Sequence, residues 1–252
     1  MNKKSIPACY GNLVFHQKIG EIIKQHSENR HSIKEVVHKA IHFEKINNIL
    51  DIGCGYGWFE EGLDGEFDLI VGIEYLEENR AKFLSITEPI SKNAVFLRML
   101  LPCPIELPSD SYDLIVSAYS LYFFPEIMPE VKRILNPEGT FVIITHSELM
   151  LEEGERFFQF KNLRALIKRF SSENGEDMLR KYFRHVEYID YYNRLIFDRE
   201  HASELEDYIN FKKEFIAKDV FPEVVRDKLL HELQERGTLS FNKNDRIFFV
   251  RK

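Results

Sequence analysis

Between His16 and Phe43 the apolar residues Ile19, Ile22 and Ile23, then Ile33, Val36, Val37, Ala40 and Ile41, recur at intervals of three and four. That is the period of helices that bury one stripe, and it predicts two of them, broken across residues 28–32. From residue 46 the pattern shortens. The runs "INNILDI" (46–52), "FDLIVGIE" (67–74), "AVFLRM" (94–99), "YDLIVSAYS" (112–120) and "TFVIITH" (140–146) each read as a strand, the last opened by an "NPEG" turn. Helices are expected over 58–64, 76–86 and 125–135. Strands alternating with helices predict an α/β fold built on a parallel sheet covered on both faces. Beyond it come an amphipathic basic helix over about 155–170, a strand over about 183–192, two helices within 201–236 and a last strand, "RIFFV" (246–250).

With 252 residues and 44% hydrophobic content the chain can bury one sizeable core, and no repeat or low-complexity linker marks a second. No apolar run reaches the roughly 18 residues of a membrane span. The start "MNKKSIPACYGN" has no apolar stretch of signal-peptide length, so a cytoplasmic protein is expected. Cys9, Cys54 and Cys103 are too scattered for a disulfide framework or a zinc site and suit a reducing compartment. His38 and His42, four apart on a predicted helix, have metal-binding spacing, but no cluster completes a site, and no metal is expected.

The net charge of −7 divides unevenly: +4 over residues 1–45, −14 over 46–155, +5 over 156–184 and −2 over 185–252. Arg156, Lys161, Arg164, Lys168, Arg169, Arg180, Lys181 and Arg184 make up the second basic stretch. Solvated helix faces account for such a run, and recognition of an anionic substrate is the other reading.

The stretch "NNILDIGCGYGWFEEGL" (47–63) carries the chemistry. A strand ending in Asp51 that turns through Gly53, Gly55 and Gly57 sets bare backbone at the carboxyl end of a parallel strand, where open α/β sheets bind ligands. The dinucleotide fingerprint G-x-G-x-x-G fails, because its third position is Trp58. An acidic residue, Glu74, ends the next strand, 21 residues after Gly53.

At these residues the chain resembles the class I S-adenosylmethionine-dependent methyltransferases, over roughly residues 46–146. "LDIGCGYG" is similar to that family's first motif. "LPSDSYDLIVSAYSLYFF" and "EVKRILNPEGTFVII" resemble segments of its small-molecule and quinone (type 11) group. The resemblance implies a Rossmann-like, seven-stranded, mostly parallel sheet with helices on both faces, a helical lid over 1–45 and a methyltransferase domain over 46–252. Residues 150–236 would then be a helical insertion before the last strand that contributes the acceptor pocket. It also implies S-adenosylmethionine as cofactor. Asp51 would lie near its ammonium group, Gly53, Cys54, Gly55 and Gly57 would form the loop around its amino-acid end, and Glu74, with Tyr75 beside it, would hold the ribose hydroxyls. The group's usual aspartate after the third strand is missing from "RMLLPCPIEL", so the adenine is expected on backbone near Met99, Leu100 and Leu101. Ser117 at the end of the fourth strand joins the cofactor set, and Tyr10 resembles a tyrosine that some members fold over the cofactor.

Methyl transfer is an in-line displacement in which positioning supplies most of the acceleration, so no catalytic constellation is required. His146, Tyr119 and Tyr122, at or beyond strand carboxyl ends, are the candidates for proton removal or acceptor orientation, His146 first. The fourth strand ends in Ser-Ala-Tyr-Ser, without the Pro-Pro turn of adenine and glutamine amino methylation. Pro102-Cys103 precedes that strand, so Cys103 is read as a half-buried residue and no nucleophile. Aromatics such as Phe157, Phe158, Phe160, Tyr208 and Phe211 in the later segments suit a roomy apolar or aromatic acceptor, although they serve equally as core. A small-molecule acceptor is expected. RNA or protein methylation, supported by the basic stretch alone, and a scaffold that binds cofactor without transfer are the alternatives.

Overall fold

The computed structural model describes residues 10–157, 160–215 and 221–252. Cys9 and Phe158 lie outside them. The chain forms two compact units, one of residues 33–146, 169–191 and 245–252, the other of 1–32, 147–168 and 192–244. Residues 33–45, expected with the amino-terminal segment, cluster with the first unit, because Ile33 and Val37 are buried in its core.

The first unit is built on a sheet of seven strands. In chain order these are β1 (Asn48–Ile52), β2 (Phe67–Glu74), β3 (Ser91–Arg98), β4 (Tyr112–Ala118), β5 (Leu135–His146), β6 (His185–Tyr191) and, after two strands of the other unit, β9 (Asp245–Arg251). Their order across the sheet is β3-β2-β1-β4-β5-β9-β6. Pairings among β1 to β5 are parallel, and β9 runs antiparallel to both neighbours. Central strands are buried residue after residue, as in Leu114–Val116 and Phe141–His146, because both faces are covered. On one face Ile49, Ile70, Leu114, Val116, Val142, Ile144 and Ile247 pack with Phe59, Phe83 and the helix α2 (Ile33–Ala40). On the other, Phe248 meets Phe170, their ring centroids 5.9 Å apart.

Helices α3 (Arg80–Thr87), α4 (Met128–Ile134) and α6 (Gly175–Leu179) complete the unit. The helix expected over 58–64 is a succession of turns, because Gly57 and Gly62 adopt φ of +92° and +89°, outside right-handed helical space. β5 starts earlier than the "NPEG" turn implied: pairs Tyr112↔Leu135 and Leu114↔Thr140 bracket that turn as an irregularity within the strand.

The second unit holds α1 (Leu13–His26), α5 (Lys161–Ile167), α7 (Ala202–Lys212) and α8 (Pro222–Arg236). Asn12 caps α1, its side-chain oxygen accepting from Phe15 N at 3.0 Å. The basic helix expected over 155–170 is a 3-10 turn (Glu152–Arg156) followed by the short α5. Two strands not expected from the sequence, β7 (Arg194–Asp198) and β8 (Thr238–Asn242), pair antiparallel as a separate sheet. No helix among the described residues is long and apolar enough to cross a membrane.

Candidate active site

β1 delivers Asp51 to the carboxyl edge of the sheet, and the chain turns at once through Gly53 (φ +78°). Gly53 N donates to Ile73 O at 2.7 Å and Cys54 N to the same carbonyl at 3.2 Å, tying the turn to β2. A Cβ on Gly53 would stand 2.4 Å from the Cβ of Ser120, so that position admits only glycine. Ser120 explains the tightness. Its hydroxyl donates to Ile52 O at 2.6 Å, and the Ser117 hydroxyl lies 2.6 Å from it. Ser117 is fully buried, so its hydroxyl braces the loop from beneath.

Gly55 differs. A Cβ there would meet nothing within 4 Å, so its bare face opens on space that a ligand can occupy. Its N–H donates to Glu74 Oε2 at 3.1 Å, while Glu74 Oε1 accepts from Tyr75 N at 2.7 Å and Leu76 N at 2.8 Å. Glu74 therefore clamps the glycine loop with one oxygen and its own following turn with the other. Three of the roughly four acceptor positions of a carboxylate are taken, which leaves about one for a hydroxyl from outside. Burial raises the Glu74 pKa against the pull of those N–H groups. Met99 N donates to Glu74 O at 2.9 Å, which sets the backbone of Met99 and the following Leu100 and Leu101 beside the end of β2.

Asp51 and Glu60 are each 1% exposed, and Asp51 Oδ1 and both Glu60 carboxylate oxygens meet no hydrogen-bond donor among the described residues. Burial first, and the neighbouring Glu60 charge next, hold Asp51 well above the ordinary carboxylate range. Burial pushes Glu60 up to about 7. Ionised carboxylates only accept, so two buried side by side must share a proton. Cys54, buried next to them, is held as a thiol by burial and by the charges of Asp51, Glu74 and Glu60, in that order.

A second cluster occupies the ends of β4, β5, β6 and β9. Antiparallel register sets His146 opposite Asp245, and Asp245 opposite Tyr191. His146 Nδ1 lies 2.7 Å from Asp245 Oδ1, and the Tyr119 hydroxyl donates to Asp245 Oδ2 at 2.7 Å. With a carboxylate at Nδ1, the neutral ring carries its proton there and its lone pair on Nε2. Tyr119, at φ +55°, stacks on His146 with ring centroids 4.6 Å apart, and Tyr122 stacks on it at 5.9 Å. Burial, then the Asp245 charge, raises Tyr119 well above the ordinary phenol range, so it remains a donor and does not serve as a base. Tyr191 is pushed up to about 12, chiefly by burial.

The structure thus brings His146, Tyr119 and Tyr122 together at one edge, and Asp51, Gly53, Cys54, Gly55, Gly57, Glu74 and Tyr75 around one loop. Tyr10 belongs to the other unit, where it packs edge-on to His16 and Phe211 with centroids 5.1 Å and 5.5 Å away. His38 points Nε2 at Phe59 O, 3.0 Å away, and His42 pairs with Glu44 at 3.3 Å, so the two serve separate local contacts. Cys103 is half-buried. Sequence reasoning passed over Asp245, Glu60 and Ser120. The signal for Asp245 was an acid opening the last strand, beside the strand that ends in His146.

The sequence matches a family described as methyltransferase domain over residues 25–210. The chain belongs to the methyltransferase domain family. Its fold recurs in a Bacillus halodurans protein assigned as a methyltransferase, with a TM-score of 0.57 at 11% identity, covering 88% of this chain and 99% of that one. It recurs also in Haemonchus contortus phosphoethanolamine N-methyltransferase 2, in complex with phosphomonomethylethanolamine and S-adenosylhomocysteine, with a TM-score of 0.52 at 18% identity, covering 98% and 59%. The cyclase SpnF, which catalyses a 4+2 cyclisation, gives 0.52 at 16% identity and 94% coverage of each chain. No curated protein matches. S-adenosylmethionine, the cofactor of class I members, fits the residues present: the open face of Gly55 leaves room for it, and the unpartnered acids beside the loop suit its ammonium group.

Proposed function

We propose that this methyltransferase transfers the methyl group of S-adenosylmethionine to a small molecule whose nucleophilic atom must lose a proton, with His146 as the base. The observation that carries this reading is the Asp245–His146 pair, 2.7 Å apart and buried at the carboxyl edge of the sheet. When bound, the cofactor supplies an activated methyl group and a good leaving group. Asp51 would hold its amino-acid end with the loop Gly53–Gly57, Glu74 the ribose, and backbone at Met99–Leu101 the adenine. Asp245 fixes the ring of His146 with its proton on Nδ1, and Tyr119 and Tyr122 fix the ring plane.

The basic stretch offers little to a nucleic acid. Arg164 pairs with Glu155, Arg169 with Glu126 and Arg180 with Glu176, each at 2.7 Å. An uncharged or modestly anionic small acceptor suits the chain better than a polyanion. Free Cys54 and Cys103 favour a reducing compartment, the cytoplasm.

Calorimetric titration with S-adenosylmethionine and S-adenosylhomocysteine tests the cofactor assignment on wild type and on Glu74→Gln, which keeps the size of the side chain but replaces one accepting oxygen of the clamp with a donor. Binding that weakens about tenfold or more in the variant supports it. No binding by the wild type ends it. An acceptor panel of phenols, carboxylates and amines, scored by S-adenosylhomocysteine formed, then tests transfer. Cofactor binding with no turnover on any acceptor class would favour a non-transferring scaffold.

A further inference from the structure

Glu60 enters the cofactor reading above only as one of the unpartnered acids beside the loop, yet it is the side chain whose burial is hardest to explain by folding alone. It is 1% exposed, on turn backbone, and neither of its oxygens meets a donor among the described residues. A buried carboxyl without donors is costly to the fold, more so ionised than neutral, unless something else compensates it. Every charged or titratable group that faces it is otherwise engaged. From α2, the Lys34 ammonium donates to Trp58 O at 3.0 Å and Glu61 O at 2.9 Å, with the Glu61 carboxylate at 3.5 Å. His38, also on α2, faces Phe59 O. From β2, Glu74 is occupied by the three backbone N–H groups. The Cys54 thiol adds no charge. What remains against Glu60 is Asp51, itself with an unpartnered oxygen, at the root of the loop whose Gly55 faces open space.

We propose that Asp51 and Glu60 form a cation seat that exchanges a shared proton for the ammonium group of the cofactor, so that Glu60 is a binding residue and cofactor binding releases a proton. This rests on the cofactor assignment above and deepens it. The exchange balances: two carboxyls with one proton carry a single negative charge, and two carboxylates with one ammonium carry the same, while the displaced proton leaves to solvent. Buried charge is therefore unchanged on binding, which makes the exchange affordable at a fully buried site. The raised affinity of Glu60 for its proton, to about 7, puts the exchange within the physiological range. Below that pH the pair holds a second proton, and above it Asp51, raised by burial and by the Glu60 charge, keeps the shared one; binding must expel what is held, so affinity rises with pH by up to about tenfold per proton per pH unit.

The test is calorimetric titration of the full chain with S-adenosylhomocysteine, which has the ammonium but no sulfonium. It is run in two buffers of different ionisation enthalpy, at about pH 6 and about pH 8. The expected result is proton release at both pH values, larger at the lower, with affinity rising between them. 5′-Methylthioadenosine, which keeps adenine, ribose and thioether but lacks the amino-acid end, should release none. In Glu60→Gln the pH dependence of S-adenosylhomocysteine binding should flatten. Binding without proton release at the lower pH overturns the proposal and leaves the cofactor assignment standing. Equal release with 5′-methylthioadenosine, or a slope undiminished in Glu60→Gln, places the proton outside this pair and overturns it too. No binding by either ligand at any pH defeats both readings. Should Glu60→Gln fail to fold, the proton count on wild type with the two ligands decides alone.

Discussion

His146 acquires its character from a residue 99 positions away. Alone, an imidazole at a strand end is a weak and freely turning base. Asp245 removes both freedoms, fixing the tautomer at Nδ1 and the ring direction, while its second oxygen is held by the Tyr119 hydroxyl. Replacing His146 with Ala should lower the turnover rate on the true acceptor by on the order of 10²–10⁴, and leave S-adenosylhomocysteine affinity within about twofold. Steady-state rates beside a calorimetric Kd check this, and a variant with full rate would exclude His146 as base. Asp245→Asn should cost about 10²-fold in turnover and shift the acidic limb of the pH–rate profile, because Asn presents an N–H that can turn the imidazole to the wrong tautomer. A loss of stability with an unmoved profile would mean that Asp245 only supports the fold. At this scale the sequence was half legible. His146, Tyr119 and Tyr122 stand at predictable strand ends, but Asp245 gains its meaning from antiparallel register, which no local pattern carries.

The glycine loop separates two jobs that one motif combines. Gly53 is required by the protein itself, since a methyl group there would meet Ser120 at 2.4 Å on backbone of φ +78°. Gly55 has φ +53° and empty space in front of it, so an added methyl intrudes on the ligand and not on the chain. Gly53→Ala should therefore destabilise the protein by about 2–4 kcal/mol, combining left-handed strain with overpacking. Gly55→Ala should cost only about 1 kcal/mol of stability and yet weaken cofactor binding by about tenfold or more. Thermal melts and titrations on the two variants separate these outcomes, and equal effects on stability would refute the division. The motif and its strand were readable from residue types, and so were most sheet strands, because buried parallel strands are continuous apolar runs. The turns that replace the expected helix after Gly57 were not, since apolar spacing says nothing of φ. Nor was the β7–β8 pair, whose short strands are joined only by residues about forty positions apart, such as Phe197 and Leu239.

Across the whole molecule, buried titratable groups of opposite kind should leave the ligand-free protein's stability gently sloped below about pH 6.5 and falling more steeply above it. In one unit Asp51 and Glu60 bind their proton more tightly when folded than when unfolded, Glu60 up to about 7. Glu60's contribution is fully present below the unfolded carboxyl pKa of roughly 4 and is lost as pH rises through about 7; that of Asp51, which keeps its proton beside ionised Glu60, is lost at higher pH. In the other unit, burial lowers His16 to about 4. There the unfolded chain binds the proton more tightly, so stability is lost as pH falls from roughly 6.5 toward 4. His38, lowered by burial in the sheet unit, acts in the same direction. Exposed pairs such as Glu77–Arg80 act only at lower pH and are screened. The two effects offset one another in part between about pH 4 and about pH 6.5, and above that the acids act alone. There each proton taken up on folding costs up to about 1.4 kcal/mol per pH unit, or about 2–4 °C in Tm for each kcal/mol. Melting curves between about pH 5 and about pH 8 at fixed ionic strength should trace that steepening fall. Glu60→Gln should make the curve shallower below about pH 7, and saturating S-adenosylhomocysteine should raise Tm most at the alkaline end, where the ammonium replaces the lost proton. A Tm still rising at the alkaline end would mean that the two acids share no proton in the folded chain.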